Sequence, residues 1–165
     1  MGAWIFGVVG GLAVLALAAF AGLVVTMRTK NRRALRAVRR LGRAGRPSAL
    51  RAGAGEPGSR TSVIHHVGRR SGRPYATPVG VYPLGEDFLV FLPYGPDVDW
   101  LRNVRAAGAA ELRTDGRTYR VAPRLTGAAE ALPHLSARDR WVVRLFGVTD
   151  FLVLERLRAD AEEAR

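Results

Sequence analysis

The chain has 165 residues, with 26 Lys or Arg against 14 Asp or Glu and a formal net charge of +12, a length that suits one domain plus an appendage. It has no cysteine, which excludes disulfides, a thiolate nucleophile and a Cys-based zinc site. The charge is uneven: residues 1–55 carry ten Arg or Lys and no acid, while residues 56–165 carry sixteen cations and fourteen acids, so the excess belongs to a basic N-terminal segment and the globular part is close to neutral.

Ala3 to Met27 has no charged residue. About 22 of these residues in a helix rise about 33 Å, matching a hydrocarbon core of about 30 Å. This predicts a single-pass anchor in the cell membrane over residues 1–27. Trp4 stands where an interfacial aromatic belongs, and Arg28, Lys30, Arg32, Arg33, Arg36, Arg39 and Arg40 follow on the other side. That bias places the basic side, and everything after it, in the cytoplasm. A cleaved signal peptide needs cations before the apolar run, and only Met1 and Gly2 precede it. Gly7 and Gly11, then Ala18 and Gly22, have small-xxx-small spacing. A helix this rich in Gly and Ala meets that pattern by chance, so pairing into a homodimer is left open.

From Arg28 to Arg43 cations alternate with Leu35, Val38 and Leu41 at helical spacing. The pattern predicts a basic amphipathic helix at the headgroup level, where each cation gains about 1 kcal/mol near anionic lipid. An arm tethered so close to a bilayer has little access to a chromosome, so the membrane is the expected partner and nucleic acid is not. Gly42 to Arg60 reads as a linker, completing a juxtamembrane segment over 28–60. Within it Gly53-Ala54-Gly55-Glu56-Pro57-Gly58 matches G-x-G-x-x-G. That pattern signifies a dinucleotide loop only between a strand and a helix, and here the order is reversed.

The remainder, 61–157, reads as one barrel domain, with a charged tail over 158–165. Strands are predicted at Thr61–Val67, Tyr75–Tyr82 and Phe88–Leu92. Asp97 or Asp99 is expected to cap a short helix through Ala107. Ala110–Thr114 and Arg117–Pro123 form a hairpin across Asp115-Gly116, Thr126–Leu135 and Ser136–Phe146 look helical, and Phe151–Leu157 is a last strand. Short strands with tight turns and no alternating helices predict a mainly β (α+β) fold, a small antiparallel barrel with helices at its edges.

His65 and His66 are adjacent, so on a strand they point to opposite faces. With only His134 elsewhere, no metal site is expected. There is no G-x-S-x-G elbow and no Walker loop. What remains is Gly68-Arg69-Arg70-Ser71-Gly72-Arg73-Pro74, three guanidinium groups, a hydroxyl and two glycines between two strands. Such a turn suits a phosphate, because glycine permits close approach, successive N–H groups form an anion nest and arginine adds bidentate donors. A solvated hairpin has the same spacing. Trp100 and Asn103, three apart on a helix, share a face and could meet the same ligand, or fill the core and close a turn.

These motifs taken together, with Thr77-Pro78-Val79 and the late Asp115-Gly116-Arg117-Thr118-Tyr119 hairpin, resemble the deazaflavin-dependent nitroreductase family over about Thr61 to Leu154. The resemblance implies a split β-barrel that binds coenzyme F420. Arg69, Arg70, Ser71 and Arg73, with Gly72 in the same turn, would hold the coenzyme's phosphate and acidic tail. Thr77, Pro78 and Val79 would line the ring, and Trp100 and Asn103 would stand beside it. Family members often carry lysine where Arg70 stands, and their tyrosine-rich acceptor pocket is replaced by the apolar Trp141, Phe146 and Phe151. The implied activity is an F420H2-dependent reductase passing a hydride to a flat hydrophobic acceptor of quinone, enone or nitro type, with Tyr94 or Tyr75 as candidate donor to the acceptor oxygen. An FMN-binding split-barrel protein and a non-catalytic membrane-surface module are the alternatives.

Overall fold

The computed structural model describes residues 2–157; residue 1, the tail over 158–165 and the side chains of residues 2–7, 32, 34, 41 and 43 lie outside the described residues. Two helices come first, α1 (Gly2–Thr29) and α2 (Arg32–Arg51). Seven strands follow: β1 (Ser62–Val67), β2 (Pro74–Val79), β3 (Tyr82–Leu84), β4 (Asp87–Phe91), β5 (Ala110–Thr114), β6 (Arg117–Gly127) and β7 (Asp150–Arg156). Helix α3 (Asp99–Ala107) precedes β5, and α4 (Ala128–Ala131) and α5 (Ala137–Phe146) lie between β6 and β7.

The strands form one antiparallel sheet in the order β2-β1-β5-β6-β7-β4-β3, curled into the half of a split β-barrel. One face packs Ile64, Val90, Leu112, Val121, Leu152 and Leu154 against Leu101 and Val104 of α3. The other packs Leu89, Phe151 and Val153 against Ala131, Leu135 and Val143 from the α4–α5 region. Strand β7 therefore has four successive buried residues, Phe151 to Leu154. Its continuous apolar run, rather than an alternating one, is what two covered faces require, and each such side chain contributes about 1.5–3 kcal/mol on burial.

Several boundaries differ from expectation. The second expected strand breaks at Gly80 and Val81 into β2 and β3, which lie at opposite edges of the sheet. Strand β6 runs on past Pro123 to Gly127, because Pro123 to Gly127 pair with Leu154 to Asp150 of β7. The helix expected over Thr126–Leu135 is thus reduced to α4 and a 3-10 turn at Leu132–His134. No aspartate caps α3: its N-cap is Val98, without a side-chain bond, while Asp97 pairs with Arg102 at 2.9 Å.

The segment read as linker from Gly42 is helical to Arg51, with Pro47 inside α2. The G-x-G-x-x-G stretch then lies on the β5–β6 hairpin. Gly116 N donates to Gly55 O at 2.8 Å, Gly58 N to Asp115 Oδ1 at 3.0 Å, and Arg113 meets Glu56 at 2.9 Å.

Helix α1 leaves its apolar side chains from Val8 to Phe20 largely exposed; among the described residues its contacts with the barrel domain lie in its C-terminal part. Phe20 meets Phe146 of α5 edge-on at 6.1 Å, and Arg28 donates to Arg144 O at 3.3 Å. Lys30, at φ 49° between α1 and α2, donates to Thr149 Oγ1 and Asp150 Oδ2, both at 2.8 Å.

Candidate coenzyme site

The basic turn is closed from within. Gly68 N donates to Arg73 O and Gly72 N to Gly68 O, both at 2.8 Å, with Gly72 at φ 64°. A Cβ on Gly68 would lie 2.5 Å from Ser71 Oγ and 2.8 Å from Tyr75 Cε2, so a side chain there would displace the Ser71 hydroxyl and the Tyr75 ring from their present contact. Ser71 Oγ lies 3.3 Å from the Tyr75 hydroxyl and accepts from Arg73 N at 3.4 Å.

Behind the turn is a buried polar chain that sequence reasoning did not anticipate. Asn103 Oδ1 accepts from Arg69 Nη1 at 2.8 Å and Arg69 N at 3.3 Å. Asn103 Nδ2 lies 3.2 Å from His66 Nδ1, and His66 Nε2 lies 3.1 Å from Thr77 Oγ1. Asn103, His66 and Thr77 are all buried, so each bond replaces hydration that cannot be recovered from solvent. The His66 ring stacks on Tyr75 at 5.7 Å. Burial, then the nearby Arg46 and His65, lower the pKa of His66 below its ordinary value, which keeps it neutral near pH 7. As expected for neighbours on a strand, His65 is exposed and His66 buried.

Two cavities meet at this chain. One, of about 390 Å³, is lined by Gly68, Arg69, Arg70 and Ser71 on one side and Trp100 and Asn103 on the other. The second, of about 640 Å³, lies between α2 and the barrel and is lined by Thr77, Pro78, Tyr94, Val98 and Trp100. Arg46, Asp99 and Trp100 border both. The larger falls within the usual 300–1,000 Å³ of small-molecule sites. Its roof is α2, which contributes Arg36, Arg39, Arg40, Arg46, Gly42, Gly45 and Ala49. These were missed because a basic amphipathic helix beside an apolar span reads as a headgroup helix whichever anion it faces. Arg39 donates to Tyr94 O, while its buried Nε has no hydrogen-bond partner. Burial pushes the Tyr94 phenol above its ordinary value, against an opposing effect from Arg39.

The other expected site residues divide. Arg69 turns inward to Asn103 and reaches Asp99 Oδ1 at 3.7 Å; Arg70, Ser71, Thr77, Pro78 and Trp100 line one cavity or the other. Val79 is in the barrel core and lines neither of these two cavities. Gly72 and Arg73 are exposed and outside both linings. Asn103 lines the smaller cavity with Trp100 while its amide is held by Arg69 and His66. Tyr75 borders the turn cavity, and Tyr94 the larger one. The suggested C-terminal acceptor pocket does not form: Trp141 is 62% exposed, Phe146 lies against Phe20, and Phe151 is wholly buried in the core. Among the described residues no group of three His, Cys, Asp or Glu could hold a metal.

A split half-barrel carrying a glycine turn and an aromatic-walled cavity is an arrangement that suits a flat, anionic ring compound of the flavin or deazaflavin kind. A model of the F420H(2)-dependent quinone reductase family matches residues 37–143, and the chain belongs to that family. Its coenzyme is F420. The match begins inside α2, well before Thr61, so that helix is part of the domain. Among solved structures, the protein Atu2129 (unknown function) from Agrobacterium tumefaciens str. C58 is 17% identical at a TM-score of 0.43, covering 59% of this chain and 48% of that one. An F420-H2 dependent reductase (FDR-A) is 14% identical at 0.42, covering 58% and 94%. The conserved hypothetical protein Rv2991 from Mycobacterium tuberculosis is 13% identical at 0.47, covering 61% and 75%. The chain thus spans about half the length of Atu2129. No curated protein matches it.

The residues present fit F420. Guanidinium groups face both cavities, Arg39 Nε awaits an acceptor, and Pro78, Tyr94 and Trp100 give the larger cavity the apolar surface a flat ring needs.

Proposed function

We propose that the protein is a membrane-anchored reductase that uses F420H2 to reduce a hydrophobic acceptor such as a quinone. The observation that carries this is the pair of adjoining cavities, one beside the Gly68–Arg73 turn and one under α2, joined at Trp100. The coenzyme supplies the hydride; the protein supplies position and charge. Because the turn's N–H groups from Gly68, Arg69, Gly72 and Arg73 are spent within the protein, the side chains of Arg70 and Ser71 suit the phosphate, with Arg73 at its rim, and Arg36, Arg39, Arg40 and Arg46 offer the acidic tail a second cationic wall. Thr77, Pro78 and Trp100 would line the ring's cavity. Tyr94 lines the larger cavity, where its phenol, protonated at neutral pH, can donate to an acceptor oxygen as charge develops there.

Anchoring rests on α1. Val8–Thr29 is long and apolar enough to cross a bilayer, its large apolar side chains from Val8 to Phe20 are largely exposed, and the cations that follow favour a cytoplasmic barrel. A lipid-soluble acceptor is then available at the surface where the barrel is held.

The test is titration of the full chain in detergent with oxidised and reduced F420, with FMN as competitor. F420 should bind in preference to FMN, and Arg70→Ala with Arg73→Ala should weaken it at least about tenfold, as expected for loss of charge-assisted bonds. Absence of F420 binding, or affinity unchanged by the double substitution, would overturn the reading.

A further inference from the structure

The buried chain between the two cavities fixes where each proton lies. Asn103 Oδ1 accepts twice from Arg69, which identifies the other amide atom, Nδ2, as the one beside His66 Nδ1. An amide NH2 only donates, so Nδ1 carries no proton and the imidazole proton sits on Nε2. Nε2–H then donates to Thr77 Oγ1, leaving the threonine hydrogen to point elsewhere, and Thr77 lines the larger cavity.

We propose that His66 is a positioning residue: in its Nε2–H form it presents the Thr77 hydroxyl as a donor to the ring cavity and holds the Asn103 carbonyl on Arg69 at the anion turn, so that both halves of the site are set together. The proposal rests on the coenzyme reading for its consequence and on the hydrogen-bond chain alone for its geometry. A second proton on His66 would put Nδ1–H against Asn103 Nδ2–H. Relief requires the amide to turn over, which points NH2 at Arg69 N–H and Nη1–H and breaks both bonds. Protonation of His66 and an ordered anion turn therefore exclude each other, and by linkage a ligand that needs the ordered turn favours neutral His66.

The surroundings act in the same sense. Arg46 of α2, His65 of β1 and Arg69 of the turn are the cationic or titratable groups near the ring. Tyr75 of β2 stacks on it, and Asn103 and Asp99 face it and Arg69 from α3. Asp99 lies 3.7 Å from Arg69, and among the described residues the two ring nitrogens of His66 meet Asn103 and Thr77 and not a carboxylate. Burial first, then Arg46 and His65, lower the His66 pKa. The folded protein resists protonation of His66 more than the unfolded chain does, so this residue's stability is complete above about pH 6.5 and declines as pH falls below that.

Three measurements on the full chain in detergent test this. Imidazole ¹⁵N shifts in the coenzyme-free protein should show the Nε2–H tautomer; an Nδ1–H tautomer overturns the proposal. The Asn103 side-chain amide resonances should move with the His66 titration, and amide signals indifferent to it would overturn the proposal as well. F420 affinity should fall about tenfold more between pH 7.5 and 5.0 in the wild type than in His66→Gln, which keeps a donor and an acceptor but does not titrate; equal slopes in the two proteins reject the coupling. If F420 fails to bind at pH 7.5, the coenzyme reading falls, and the two NMR measurements still decide the role of His66.

Discussion

At the scale of single residues, the two candidate donors differ in ways that sequence spacing could not separate. The Tyr75 hydroxyl lies 3.3 Å from Ser71 Oγ, and its ring covers His66, so it supports the turn. Tyr94 lies along the larger cavity and is buried enough to raise its pKa, which favours the protonated form a donor needs. Tyr94→Phe is therefore expected to reduce turnover about a hundredfold, the lower end for loss of a general acid, with F420 affinity little changed. Tyr75→Phe should do the reverse, weakening F420 binding while leaving turnover at saturating coenzyme nearly intact. Steady-state kinetics with a soluble quinone, alongside direct titration, checks both; a larger turnover loss in Tyr75→Phe would reverse the assignment.

At the scale of elements, α2 has the greatest consequence. It provides the roof of the larger cavity and four of its guanidinium groups, and the family match begins within it. A chain starting at residue 61 keeps every strand but loses that roof. It is expected to bind F420 at least about tenfold more weakly, with a shallower salt dependence, since fewer cations face the anion. Isothermal titration at two salt concentrations tests this, and equal affinity in the truncated chain would remove α2 from the site. Other elements were more legible. Asp115-Gly116 announced a hairpin and has the positive φ angles, 47° and 72°, that such a two-residue turn needs. The run from Phe151 announced a buried strand. The break at Gly80 was not legible, because two strands destined for opposite sheet edges look locally like one. Nor was the orientation of Asn103: a side chain three residues from Trp100 shares its face, yet which partner takes its amide depends on His66, 37 residues away. Local pattern specifies which residues are buried, while polar pairing over long sequence distances is set by tertiary packing.

At the scale of the whole molecule, a neutral barrel follows a basic segment and an uncovered apolar helix, and the three are physically coupled. If α1 is the anchor, Leu15→Arg should shift the protein toward the soluble fraction, because a cation at mid-bilayer costs at least about 2.5–3.5 kcal/mol. Fractionation after carbonate wash measures it, and undiminished membrane retention would count against the span. How the barrel is held depends on Lys30. Its ammonium bridges the α1–α2 junction to Asp150 at the start of β7, and the hydrogen bond from Lys30 is the leading reason the Asp150 carboxyl titrates below its ordinary value. A carboxyl depressed on folding adds stability above its unfolded pKa, near 3.8, and that stability is lost as pH falls through the lower folded value. Both side chains are more than a third exposed, so the pair is worth at most about 1 kcal/mol after screening. Lys30→Ala should consequently lower the melting temperature slightly at pH 7 and at low salt, with the difference shrinking in high salt and at strongly acidic pH. A difference that persists unchanged under both conditions would mean that the strained φ of residue 30, rather than the ion pair, sets how the span meets the barrel.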